Sequence, residues 1–160
     1  MKKIAVSTLV AAAMFAVATG AHAQAPAYGP DINLDNAKKV AAAAVGEARK
    51  NSWNVVIAIV DTHGELVYLE RLDNSQVASI NIAQGKARTA ARFKRATKAF
   101  QDDLAGGGHG LRILNLEGAV AVQGGLPLVM DGRIVGAIGV SGVTGDQDSI
   151  VAAAGVAAAK

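Results

Sequence analysis

The chain has 160 residues, 51% of them hydrophobic, with 16 Lys and Arg against 13 Asp and Glu and no cysteine. That length suits one domain around a single core, and the missing thiols exclude disulfides, thiolate ligation of iron or zinc, and cofactor attachment through a C-x-x-C-H sequence. Two of the cations, Lys2 and Lys3, belong to an N-terminal leader, so the remainder is nearly balanced in charge and nucleic acid is not implied as a partner.

Residues 1–23 read as a secretory signal peptide. Lys2-Lys3 precede the mostly apolar run from Ile4 to Ala18, and Ala21-His22-Ala23 has the small-residue cleavage pattern, so a mature chain starting at Gln24 and a periplasmic or secreted location are expected. The run is too short, and too interrupted by Ser7 and Thr8, for the roughly 20 apolar residues that a transmembrane helix needs. Residues 24–32, with two prolines and a glycine, read as a flexible arm ahead of a single domain over 33–160.

Leu34, Ala37, Val40, Ala41, Ala44, Val45 and Ala48 recur at helical spacing, with Asn33 or Asp31 as cap and Arg49-Lys50 at the negative end of the dipole. Trp53 to Val60 is apolar at both alternating positions apart from Asn54, which predicts a strand covered on both faces. Asp61-Thr62-His63-Gly64 then turns the chain into a second strand, Glu65 to Leu72. Ser79 to Phe100 is predicted helical, bent near Gly85, where a glycine suggests a close packing contact. The cluster Ala105 to Gly110 breaks the pattern and reads as a mobile loop covering a pocket. Strands follow at Ala119 to Val122, Leu126 to Met130 and Ile134 to Val140, the last two joined by the Asp131-Gly132 turn, before a closing helix over Gln147 to Ala158. The expected fold is α+β, with an about five-stranded, largely antiparallel sheet flanked by helices. Charged residues make up only 18% of the chain, low for a small monomer, so homo-oligomerisation is expected.

On a wheel at 100° per residue, Ile82, Lys86, Thr89 and Phe93 fall within about 60° of one another. This stripe suits a flat apolar ligand bearing carboxylates, and it equally describes an amphipathic helix whose lysine stem stretches to water. Arg88, Arg92 and Arg95 form a basic ridge on another side, either a solvated face or a surface for an anionic or exported protein partner. His63 and His109 are the two histidines beyond the leader. The first is accounted for by a turn hydrogen bond or by a ligand role, and the second, among glycines, reads as a ligand or anion contact.

The glycine cluster lacks the Gly-Lys-Ser/Thr ending of a phosphate loop. Asp146-Gln147-Asp148 before an apolar run reads as helix capping, without the distant glutamate of a calcium loop. Ser141 lacks a G-x-S-x-G elbow, and no H-E-x-x-H spacing points to a zinc enzyme.

The glycines at fixed offsets carry a wider likeness. Gly124-Gly125-Leu126-Pro127-Leu128, Asp131-Gly132-Arg133-Ile134-Val135-Gly136, Gly139-Val140-Ser141-Gly142 and Gln147-Asp148, with Lys86-Ala87, Thr89-Ala90 and Val60-Asp61-Thr62-His63-Gly64, resemble the GlcG/HbpS-like haem-binding family, whose members include the C-terminal domain of PduO. The resemblance runs from about Leu34 to the end. It implies a profilin-like fold and a non-covalent haem site, with Ile82 and Phe93 covering the macrocycle, Lys86 reaching a propionate, Thr89 offering an oxygen, and Ser141 and Asp148 lining the cleft, while neither histidine is assigned by the likeness. The function it implies is haem scavenging, storage or sensing by an exported oligomer. An enzyme or binding module for a small anionic metabolite, built on Lys86, Asp148 and His63, is the alternative.

Overall fold

The computed structural model describes residues 24–160, so the signal-peptide reading of 1–23 lies outside the described residues. Helix α1 (Leu34–Lys50) starts where expected: the Asn33 side chain accepts the Asn36 N–H, and Arg49 and Lys50 close its last turn. Strands β1 (Val56–Val60) and β2 (Leu66–Arg71) form the expected antiparallel hairpin. Helices α2 (Ser79–Phe93) and α3 (Thr97–Ala105) follow, then a 3₁₀ helix (Gly108–Asn115). Strands β3 (Gly125–Met130) and β4 (Arg133–Ser141) and helix α4 (Gly145–Ala158) complete the chain.

All strand pairs are antiparallel, in the order β2-β1-β4-β3. Helices cover both faces of the sheet. On one side Val40, Ala44 and Ala48 of α1 and Val151 and Ala152 of α4 pack against Ile57, Ile59, Leu128, Ile138 and Val140. On the other, Ala83, Ala87, Ala90 and Ala91 of α2 meet Val56, Ala58, Val60 and Ala137. The central strand β1 is therefore buried along its whole length, which is why it reads as an unbroken apolar run.

The α2 layer is dominated by alanine because the helix lies almost on the strand backbone. Gly125 and Gly139 are register partners on β3 and β4. A Cβ on Gly139 would sit 2.0 Å from the Ala83 carbonyl oxygen, and one on Gly125 would sit 2.4 Å from that of Lys86. The two glycines are a platform on which the helix backbone rests.

Three expectations change. Four strands form among the described residues instead of five, because residues 119–122 do not join the ladder. Side chains from the helical layer take their backbone donors: Val120 N–H goes to Thr89 Oγ1 at 2.8 Å, and Gln123 N–H to Gln101 Oε1 at 3.0 Å. The long helix breaks at Lys94, not at Gly85. Lys94 adopts a left-handed conformation (φ 56°), and the Tyr28 hydroxyl donates to the Ala91 carbonyl at 2.9 Å, occupying an acceptor of the last turn. Gly85 does make the close contact its presence suggests, since a Cβ there would lie 2.7 Å from Val120 Cγ2. Finally, the segment read as an arm is strapped along β4 from Ala27 onward, with Gly29 N–H to Ile134 O and Ile32 N–H to Val135 O, both 2.8 Å.

The platform predicts opposite signs for two glycine-to-alanine changes. Gly139→Ala should destabilise the protein by about 3 kcal/mol, since backbone must move to admit the methyl. Gly46→Ala, on α1 with nothing within 4 Å of the added carbon, should stabilise it by about 0.5–1 kcal/mol. Denaturant unfolding of both variants measures the difference.

Candidate functional site

Because α2 lies so close to the sheet, the side chain of Lys86 has no path outward and runs along the glycine platform. It is 1% exposed. Its Nζ donates to Val140 O and to Asp148 Oδ2, each at 2.8 Å. Asp148 is also buried, and its Oδ1 accepts the Val143 N–H at 3.2 Å. One ion pair thus ties α2 to the end of β4 and the start of α4. Burial pushes the Asp148 carboxyl up, against the pull of the Lys86 ammonium and of the Val143 and Gly142 N–H groups. Helix capping itself falls to Thr144, whose hydroxyl accepts the Gln147 N–H, with Gln147 reaching back in a capping box.

Thr89 is fully buried, donating to Gly85 O at 2.8 Å and accepting from Val120 N–H at 2.8 Å. Ser141 is buried against Ser79, their hydroxyl oxygens 3.2 Å apart. Lys86, Thr89, Ser141 and Asp148 are therefore turned inward, each with at least one protein hydrogen-bond partner, and none lines a cleft of ligand size among the described residues. Ile82 and Phe93 are half-buried, Phe93 packing edge-on to Phe100 with ring centroids 5.3 Å apart. The basic ridge is likewise engaged. Arg88 donates to Gly64 O, Arg92 to His63 O and Glu65, and Arg95 lies 3.9 Å over the Phe100 ring. His63 sits exposed at the β1–β2 turn, and does not meet Lys86 and Asp148 at one cleft.

The last three residues of the glycine cluster, expected as a loop, open the 3₁₀ helix, whose period of three sorts the side chains into rows. Gly110 and Ile113 face inward: Ile113 is 3% exposed, and a Cβ on Gly110 would collide with Asp103 O. Leu111 and Leu114 form an outward apolar row, 51% and 71% exposed. His109 and Arg112 form an outward polar row and line a 190 Å³ hollow with Asp103 and Gly110. Of this set the sequence singled out only His109. The signal that finds Leu111, Leu114 and Arg112 is a period of three, which a helical or strand template passes over.

The buried pair makes a stability prediction with a pH signature. Lys86→Met should cost about 3–5 kcal/mol by leaving Asp148 without its counter-charge, and Lys86→Met/Asp148→Leu should recover a large part of that loss. In Lys86→Met the native carboxyl titrates further above its unfolded value. The folded state then holds a proton that the unfolded chain has released, so stability falls as pH rises from about 4 through the raised native value. The parent should show the same sign with a shallower slope, and equal slopes in urea titrations across pH would contradict the assignment.

Comparison with known proteins agrees with this architecture. Residues 32–157 match the family model for haem degrading protein, HbpS-like. Protein GlcG of Escherichia coli (strain K12) is 42% identical over 105 residues, covering 66% of this chain and 77% of GlcG. The crystal structure of HbpS superposes with a TM-score of 0.74 at 32% identity, over 81% of this chain and 90% of that one. The PduOC:heme complex superposes with a TM-score of 0.72 at 31% identity, over 80% and 94%. With its glycine platform, its four-stranded antiparallel sheet and a family match that spans nearly all of the described residues, the chain belongs to the HbpS-like family.

Proposed function

We propose that this chain binds haem non-covalently, and that the outward rows of the 3₁₀ helix are its contact surface. A structure of a 31% identical relative in complex with heme supports the ligand. The observation that carries the place is the juxtaposition on one short helix of an exposed imidazole, a guanidinium and two exposed leucines. A porphyrin asks for those three chemistries: Leu111 and Leu114 would give apolar cover, Arg112 a cation for a propionate, and His109 a nitrogen to hold the iron. When bound, haem would supply the iron centre for binding or redox chemistry at this site. Asp103, which also lines the hollow, is 3.6 Å from Arg95 and has its charge offset there.

The hollow of 190 Å³ is too small to enclose a macrocycle, and Leu111 and Leu114 stand outside its lining. One chain therefore offers one wall, and a second copy supplies the other, in keeping with the low charge content and the uncovered leucines. Lys86, Thr89, Ser141 and Asp148 serve this site at a distance, by holding α2 and the segment after it in place. The physiological role we assign is scavenging, storage or sensing outside the cytoplasm, on the strength of the leader at residues 1–23.

Titration of the mature protein with hemin should give a saturable Soret change. His109→Ala should alter the position of the bound Soret band and weaken binding tenfold or more, and Leu114→Glu should weaken it comparably. A His109→Ala variant with the parent's spectrum and affinity would contradict the proposed site. Export is checked separately by N-terminal sequencing of the exported protein, expected to begin at Gln24.

A further inference from the structure

The turn after β1 brings together three metal-ligating side chains that the haem reading does not use. Asp31 comes from the N-terminal segment, Asp61 from the end of β1 and His63 from the turn itself. One donor atom from each lies within 4.8 Å of the other two. We propose that Asp31, Asp61 and His63 bind a divalent transition-metal ion.

The local structure fixes this arrangement. Thr62 donates both its N–H, at 3.1 Å, and its hydroxyl to Asp31 Oδ1, which docks the N-terminal segment against the turn. Asp61 Oδ1 accepts the N–H groups of His63 and Glu65, at 2.9 and 2.8 Å, which shapes the turn. Among the described residues the hydrogen bonds to both carboxylates therefore land on Oδ1, and Oδ2 of each is free to ligate. The orienting contacts are of the kind that hold metal ligands in place from behind. The His63 side chain is 77% exposed, with its Nδ1 3.8 Å from Asp31 Oδ1 and 3.3 Å from Thr62 Oγ1, a contact that an ion would replace.

Bond lengths of about 2.0–2.2 Å to nitrogen and oxygen require donors about 3–3.5 Å apart, so closure needs movement on the order of an ångström, within reach of exposed side chains. An imidazole beside two carboxylates selects zinc, cobalt, nickel or similar ions over calcium and magnesium, which take oxygen ligands alone. Three ligands leave coordination positions open. Asp31 also borders a 470 Å³ cleft lined by Ile32, Val135, Asn36 and Arg133, to which Asp61 and His63 do not contribute.

The test is calorimetric titration of chelator-treated protein with Zn²⁺, paired with the visible absorption of Co²⁺, in the absence of haem. One equivalent should bind, and His63→Ala and Asp61→Asn should each weaken binding at least tenfold. His109→Ala, which removes the chain's other described histidine, should leave it unchanged. Circular dichroism confirms that each variant folds. Equal binding by His63→Ala, loss in His109→Ala, or no stoichiometric binding by the parent would each overturn the proposal. None of these outcomes depends on whether haem binds.

Discussion

The structure depends on how closely one helix can lie on a sheet. Paired glycines at 125 and 139 remove the side chains that would hold α2 away, and the helix settles with its backbone in contact with the strands. An alanine layer follows from that distance, since side chains standing directly between α2 and the strands must be short. The burial of Lys86 follows too. Its four-carbon stem must run along the platform to the strand end, where only a carboxylate makes an ammonium tolerable in the interior. Asp148 supplies it, and through Asp148 the start of α4 is set by the position of α2.

Seen this way, the residues that look like a ligand-binding stripe on a helical wheel belong to the fold's internal frame. The wheel finds a shared face but cannot tell inward from outward when the inward neighbour is glycine. Periodicity reads Lys86 as polar and therefore external, while the strand it meets lies far away in sequence. Thr89 is misread for a related reason, because its hydroxyl works as a backbone substitute, taking the Val120 N–H that would otherwise join a fifth strand.

Much else was legible. The cap at Asn33, the basic C-terminus of α1, the continuous apolar run of β1 and the Asp131-Gly132 turn, with φ of 49° and 72°, all follow from local chemistry. What escaped depends on distant partners. The helix break at Lys94 is stabilised by Tyr28, 63 residues away from the carbonyl it reaches, and no glycine or proline marks it. The candidate site is hard to read because its helix repeats every three residues, and only His109, a histidine among glycines, stands out in the sequence.

The family membership and the chain's own surface divide the functional question between them. Membership brings the fold and an expectation of haem, and the 3₁₀ helix of this chain offers the exposed imidazole and leucines that could meet it. The outward turn of those rows, with Lys86 and Thr89 of the α2 stripe buried, is the central claim. Backbone amide NMR of the mature protein during addition of a diamagnetic haem analogue such as gallium protoporphyrin tests it most directly. The account predicts the largest shift changes at residues 108–115 and none above background along residues 83–87. Changes concentrated on the α2 stripe, with the 3₁₀ helix silent, would contradict it.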